Sequence, residues 1–353
     1  MAPTQHTSAA ADLGLLVPVL FGHAAFQQLN AGCRLGLFDL LNAEGPLSAE
    51  RISERLDLPP RSCDVLLLGT TALGLTAIDA DGYRNGPPVA AAFGAGLWPV
   101  LRDIVEFQDR IAYLPAADYA ESLRTGRNVG IRHFPGTTED LYSRLSGVPG
   151  LEDLFYRCMH SWSRLSNPVL VAHPAFPQAR RVLDVGGGDA VNAVALARAH
   201  PGLRVTVMDR EGALAAARRT IGAAGLADRI ATHAADIFAG VYPHGHDCVL
   251  FAHQLVIWSA EQNLALLRTA YEALPPGGAV LVFNAFADDD RTGPLYAALD
   301  NVYFSTLPFR DSTLYRWEEC EGWLREAGFT DVRRTAGTGW TPHGVVSGRR
   351  PEH

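Results

Sequence analysis

The stretch Val182-Leu-Asp-Val-Gly-Gly-Gly-Asp-Ala-Val-Asn192 runs apolar, β-branched residues into three glycines and then into a helical pattern. Gly186 and Gly188 let the backbone turn sharply and approach a ligand closely, as in dinucleotide sites. The third glycine of a G-x-G-x-x-G pattern is replaced by Val191, which weakens the case for a dinucleotide whose pyrophosphate sits on the helix N-terminus. Acidic residues stand at three successive expected strand ends: Asp184, Asp209 and Asp236. Any one of them could simply cap its own turn. Three around a glycine loop that has neither Lys nor Arg would repel a pyrophosphate and suit a cationic adenosyl ligand. Asp209, followed by Arg210, would accept both hydroxyls of a ribose. Asp236, with Ile237 and Phe238, offers a polar group and apolar faces to the amine and ring of adenine.

Such residues need a parallel sheet to position them. From Arg181 onward, short β-branched runs alternate with helical patterns, which predicts strands at Arg181–Val185, Arg204–Asp209, Ile230–Asp236, Asp247–His253 and Ala279–Asn284. A last pair, Asp331–Arg334 and Gly344–Gly348, would close the sheet. Residues 1–12 are small and polar and read as disordered. A helical pattern from Leu15 to about Leu41 ends at Gly45-Pro46. Ser48 then caps a short helix, and a second helix runs from Pro60 to Leu73. Two strands, Leu75–Asp79 and Gly82–Asn85, flank an Asp81-Gly82 turn. Helix, helix, helix, hairpin is a winged-helix arrangement, so a DNA-binding regulator has to be weighed. The helix that would enter a groove offers Arg61 and then Leu, Gly and Thr, whereas base reading needs several polar side chains. It reads as a helix to be buried, against its own chain or a partner. Residues 88–172 read as mainly helical and carry scattered aromatic residues.

Composition sets the outer bounds. At 353 residues the chain is about twice a single-domain length. Hydrophobic residues make up 48% and charged residues 19%, and no apolar run reaches the ~18 residues that would span a bilayer. All 30 residues of the Lys+Arg total are Arg. Enzymes that need a Lys for a pyridoxal or other Schiff base, or for a P-loop, are thereby excluded. A net charge of −8 argues against a general polyanion binder. The five cysteines, Cys33, Cys63, Cys158, Cys248 and Cys320, form no C-x-x-C pair. With no secretory signal, they predict a reduced, cytoplasmic protein without structural zinc.

The glycine segment, Asp209, Asp236-Ile-Phe238, Trp258 before Ser259-Ala-Glu-Gln, Leu274-Pro-Pro-Gly-Gly278 and Ala327-Gly-Phe329 together resemble the plant and bacterial small-molecule O-methyltransferases that use S-adenosylmethionine. Leu35-Gly-Leu-Phe-Asp-Leu-Leu41 through Ser48 resembles that family's winged-helix dimerisation domain, and Phe155-Tyr-Arg-Cys-Met159 its segment before the glycine strand. Across residues 15–349, bacterial natural-product tailoring enzymes are the nearest likeness. The resemblance implies an α/β fold: a Rossmann-like class I methyltransferase domain at 173–353, a helical linker and acceptor-pocket segment at 106–172, and an α-helical winged-helix dimerisation domain at 13–105. It also implies a homodimer, S-adenosylmethionine as cofactor, a small-molecule acceptor, and neither nucleic acid nor membrane as partner.

The chain departs from that family at its chemistry. O-methylating members carry a His-Asp-Trp triplet after the fourth strand, and its His removes the phenolic proton; Leu255-Val-Ile-Trp258 stands here, so Val256 and Ile257 replace the His and Asp. The partner carboxylates match Asn284 and the region of Leu314–Tyr315. A Lys that can contact the cofactor in plant members matches Ala252. Methyl transfer from a sulfonium is strongly downhill, so positioning alone supplies much of the rate, although a phenol of pKa ~10 still benefits from a base. O-methylation is therefore put first and ring-carbon methylation close behind. His253, at the carboxyl edge of the sheet, and His160 are the replacement bases considered. His343 falls in a stretch that reads as a hairpin turn. Met159, His160, Trp162, Val256, Tyr303 and Phe304 would line the acceptor pocket. His244-Gly-His246 and Asp288-Asp-Asp290 lack a third metal ligand, and no metal is expected. Two alternatives stay open: a family member with non-methylating chemistry (hydroxylase, decarboxylase or pericyclase), and the winged-helix regulator.

Overall fold

The computed structural model describes residues 13, 14 and 16–352; the tail read as disordered and Leu15 lie outside them. The chain forms two compact units divided between Asp109 and Arg110. The first holds α1 (Val17–Leu20), α2 (Gly22–Leu35), α3 (Leu37–Glu44), α4 (Ala49–Arg55), α5 (Pro60–Ala72), the hairpin β1 (Thr76–Asp79) and β2 (Gly82–Asn85), α6 (Pro87–Gly94) and α7 (Trp98–Phe107). The sequence places one helix up to Leu41, and the chain makes three. Gly36, at φ +79°, ends α2 in the left-handed region, where a residue without Cβ costs least. The apolar spacing runs on across this break because Cys33, Leu37, Phe38 and Leu41 all enter one core. Ser48 caps α4 as expected, accepting the Arg51 N–H at 3.3 Å. On α5, Leu66 and Leu67 are buried, while Val65 and Leu68 are 57% and 72% exposed. Its own chain therefore covers only one face of this apolar helix.

The second unit opens with helices, among them α8 (Tyr119–Thr125), α9 (Leu141–Leu145) and the long α10 (Leu151–Val171). There follow β3 (Arg181–Val185), α11 (Val191–Ala199), β4 (Arg204–Asp209), α12 (Glu211–Ala224), β5 (Ile230–Ala234), β6 (Cys248–Ala252), α13 (Ala260–Ala273), β7 (Ala279–Ala285), α14 (Leu295–Thr306), α15 (Trp317–Glu326), β8 (Thr330–Ala336) and β9 (His343–Arg349). The seven strands order as β5-β4-β3-β6-β7-β9-β8. The first five run parallel, and β9 pairs antiparallel with both β7 and β8. Strand order reverses between β3 and β6, the switch point at whose carboxyl edge open α/β sheets bind ligands. Cores lie on both faces of the sheet, as the near-continuous apolar runs of β3, β6 and β7 require. α10 packs on α11 and β9, which brings its side chains to that edge. Among the described residues no single helix is long and apolar enough to cross a membrane.

Candidate active site

Beyond β3 the chain turns through Gly186 and Gly188 at φ +69° and +55°, the conformation that selects glycine. The Gly186 carbonyl accepts the side-chain N–H of Gln254 at 2.9 Å, and a Cβ on Gly186 would strike that side chain. A Cβ on Gly187 would lie 2.6 Å from Asp184 Oδ2. Gly188 faces open space, so the loop is closed below and clear above. Asp209 takes the Gly188 N–H on Oδ2 at 2.9 Å and the Arg210 N–H on Oδ1 at 2.7 Å, which fixes its carboxylate at the end of β4. Asp184 is fully buried and neither of its oxygens has a partner. Burial first, then the charges of Asp209 and Asp189, push its pKa up to about 7. Two orphaned acceptors and a second carboxylate beside a clear glycine loop match a cationic ligand carrying an amine and a ribose, which is what S-adenosylmethionine offers. The residues present fit that cofactor.

One cofactor-side expectation needs correction: Asp236 does not end a strand. β5 stops at Ala234, so Asp236 lies in the following loop, exposed, where its Oδ1 accepts the Phe238 N–H at 3.0 Å. It makes the turn-capping bond expected of an Asp in a loop. Ile237 is partly buried, and Phe238, 37% exposed, stands edge-on to Trp258 with ring centroids 4.9 Å apart. Arg210 caps α12 with its backbone while its side chain is exposed. Ala252 is buried within β6, in the core beneath the edge.

The acceptor side is a wall made by α10 and α14. Residues two apart on a helix point some 160° away from each other, and α10 shows it. Trp162 meets Tyr296 of α14 edge-on at 5.8 Å and Trp340 at 6.3 Å, whereas His160 turns to the glycine loop and shares a hydrogen bond with Asp189 Oδ2 at 2.7 Å through Nδ1. His160 is thus set apart from Trp162, with which the sequence grouped it; Met159 is partly buried between these faces. Val256 is 5% exposed in an apolar cluster with Ala285, Ala297 and Leu314, against which Tyr296 and Phe304 pack. Tyr303 stacks edge-on with Phe304 at 5.2 Å, and burial, then Tyr142, Asp300 and Cys158, hold its hydroxyl well above the ordinary tyrosine range.

His253 follows β6 at φ +59°, its Nε2 3.4 Å from Ser166 Oγ and its ring 5.0 Å from Phe283 and 5.2 Å from His343. Burial lowers its pKa to about 4, so it is neutral at physiological pH and a weak base. His343 is no turn residue: it begins β9, buried, with Nδ1 unpartnered, and burial and His253 hold it well below the usual histidine range. Asn284 is buried in β7 with Oδ1 unpartnered. His246 is held by the Pro243 carbonyl at 3.0 Å and Thr206 Oγ1 at 2.9 Å, and Asp289 by Arg334 and the Glu318 N–H. Among the described residues no three His, Cys, Asp or Glu side chains gather as metal ligands.

Four site residues escaped the sequence reading: Gln254, Asp189, Tyr296 and Asp300. The first two act through partners far away in sequence. The last two lie seven and three positions before Tyr303 on one stripe of α14, a spacing that periodicity could have flagged.

Comparison with known proteins agrees with this geometry. A family model for an O-methyltransferase domain matches residues 117–330, and one for an O-methyltransferase dimerisation domain matches residues 17–93. An L-tyrosine C(3)-methyltransferase of Streptomyces lavendulae is 42% identical over 337 residues, spanning 95% of this chain and 92% of its own. A 3-hydroxy-5-methyl-1-naphthoate 3-O-methyltransferase of Streptomyces sahachiroi is 33% identical over 334 residues, spanning 95% of this chain and 94% of its own. The crystal structure of the S-adenosylmethionine-dependent methyltransferase SibL in its apo form superposes with a TM-score of 0.90 at 76% identity, covering 96% of this chain and 99% of that one. Human N-acetylserotonin methyltransferase in complex with S-adenosylmethionine shares the fold, with a TM-score of 0.82 at 23% identity over 99% of this chain and all of that one.

Proposed function

This chain belongs to the O-methyltransferase family and is an S-adenosylmethionine-dependent methyltransferase of small molecules, and from that premise we propose that it methylates a ring carbon of a phenolic, amino-acid-derived acceptor. The observation that carries this reading is the burial of Val256 among Ala285, Ala297 and Leu314. A base for O-methylation has to stand beside the oxygen in line with the methyl group, and that place is apolar. A hydroxyl aimed there would lose its hydrogen bonds to water without replacement, whereas a ring C–H loses nothing. The relative that methylates tyrosine at C(3) supports the same choice.

When bound, S-adenosylmethionine supplies the methyl group on a sulfonium. Asp209 would hold its ribose and Asp184 its amine; Ile237 and Phe238 would flank adenine, and Trp162, Tyr296 and Val256 would set the acceptor ring in line. His160, oriented by Asp189, would brace the glycine loop. Incubation with methyl-labelled cofactor and hydroxylated aromatic amino acids, L-tyrosine first, is expected to place the label on ring carbon, read by NMR of the product. Label on oxygen, or transfer to none of them, would overturn the reading.

A homodimer is expected through the first unit, in the cytoplasm, where the five buried thiols stay reduced. The outward face of α5, with Val65 and Leu68, and the residues Val17, Val19 and Phe21 at 52%, 76% and 59% exposure leave large apolar side chains bare in the first unit, as a surface made for a partner would. Leu68→Glu is expected to shift the mass seen by light scattering toward the monomer; an unchanged dimer would place the interface elsewhere.

A further inference from the structure

On α14, Tyr296, Asp300 and Tyr303 follow one another at i, i+4 and i+7 and so share a face. Asp300 accepts a hydrogen bond from the Tyr296 hydroxyl, Tyr303 of its own helix senses its charge, and Cys158 of α10 acts on both tyrosines. Ala297, one turn earlier on the same helix, packs with Val256, so the carboxyl stands one turn from the spot where related enzymes keep their base. Tyr296 in turn lies 6.3 Å, ring to ring, from His343 at the sheet edge and 5.8 Å from Trp162. A carboxylate has about four lone-pair sites, so a carboxyl that takes one hydrogen bond from the Tyr296 hydroxyl within an aromatic wall can accept another.

We propose that Asp300 binds the phenolic hydroxyl of the acceptor and takes its proton as the neighbouring ring carbon is methylated. The assignment rests on the ring-methylation reading above. In the step, the O–H proton passes to the Asp300 carboxylate and its electron pair stays with the ring oxygen. The ortho carbon forms a bond to the methyl carbon while the carbon–sulfur bond breaks, its electron pair going to sulfur. The proton on that ring carbon then leaves to water, and the ring oxygen takes back the proton held by Asp300, so that one proton is released overall. Burial, the first cause, sets the carboxyl at about 7, with the Tyr296 hydrogen bond opposing, which is the range in which a general base works best at neutral pH.

The test compares Asp300→Asn with wild type on the phenolic amino acid that accepts label. The variant is expected to lose roughly 100- to 1000-fold in kcat, to keep its affinity for S-adenosylhomocysteine, and to lose the acid limb of the pH–kcat profile. A ring-fluorinated acceptor, whose phenol is more acidic, is expected to recover about tenfold or more of the loss. An independent readout needs no turnover and no variant. Calorimetry in buffers of different ionisation heat is expected to show proton release when L-tyrosine binds the wild-type S-adenosylhomocysteine complex near pH 7, and none with L-phenylalanine. A variant with full kcat and an unchanged profile, absence of rescue by the fluorinated acceptor, or equal proton release with both amino acids would overturn the role of Asp300 and leave ring methylation standing. Failure of the wild type to label any phenolic amino acid would overturn both.

Discussion

Asp209→Asn is expected to weaken binding of S-adenosylhomocysteine by roughly 100-fold, about 3 kcal/mol. The size follows from the two bonds that the carboxylate already makes. One oxygen takes the Gly188 N–H and the other the Arg210 N–H, so both edges of the group meet a backbone donor. An amide in its place must turn its NH₂ toward one of these donors, breaking that bond and losing the charge that strengthens ribose hydrogen bonds. The damage therefore reaches the glycine turn as well as the sugar. Asp236→Asn makes the contrast. That residue is exposed and caps the Phe238 N–H through one oxygen, a bond that asparagine keeps, so a loss of no more than about fivefold is expected from one partly solvated bond. Isothermal titration of both variants decides it. Equal losses would mean that Asp209 has no special hold on the cofactor.

The difference between these two aspartates was not legible in the sequence, where each ends a β-branched run before a turn. The runs themselves were legible: β3 and β4 fall where the alternation puts them, and β7 differs by one residue at its end. Periodicity reports burial, and β5 stops early because Ala234 and Ala235 carry no preference that would hold the strand to Asp236. The same limitation explains α2 and α3. One apolar stripe crosses Gly36 because both helices serve one core, and only the left-handed φ of that glycine marks the break.

His343 was misplaced for a different reason. Pro342-His-Gly344 has the composition of a turn, but Gly344 is a strand residue, and a Cβ there would strike the ring of Trp317. The glycine meets a packing demand from α15, and local sequence does not contain that demand. The polar pairs of the site share this property. His160 with Asp189 and Gln254 with Gly186 join segments brought together by the fold, so residue type suggests their capacity and only tertiary structure their partners. Loss of the usual base was legible because it is a local substitution, at Val256 and Ile257. The carboxyl of Asp300 was not, since an Asp among helical aromatic residues reads as a solvent-facing position, and its hydrogen bond from Tyr296 is set by the helix face on which both stand. The chain without Lys likewise becomes informative at Ala252, which is sealed in the core of β6; cofactor recognition falls to carboxylates and backbone amides at the edge above it.

Between pH 7 and pH 4.5, His253 and His343 are expected to draw stability from the ligand-free protein as the medium is acidified. Both imidazoles are held neutral, His253 with a pKa lowered to about 4 by burial and His343 held well below the usual histidine range by burial and by His253. In the unfolded chain each would take up a proton near pH 6.5. Above that pH neither state binds the proton, and the contribution to stability is fully present. As pH falls from 6.5 toward 4, the unfolded state binds protons that the folded state refuses, and stability is lost. For His253 alone the full window corresponds to about 3 kcal/mol, trimmed to about 2 because the ring is partly exposed. Asp184 works in the opposite direction. Its raised pKa, about 7, means that the folded state holds a proton which the unfolded carboxylate has given up, so acid restores stability from pH 7 downward to about 4, and Asp300, also raised to about 7, acts in the same sense. The two slopes overlap and partly cancel in the wild type, and single substitutions separate them. His253→Asn, with a side chain that tolerates the left-handed φ of this position, is expected to flatten the acid loss by several degrees of melting temperature between pH 6.5 and 5. Asp184→Asn is expected to steepen it. Thermal unfolding of the three proteins at half-unit steps of pH is the measurement, and parallel curves for His253→Asn and wild type would show that the histidine pair does not govern the acid limb.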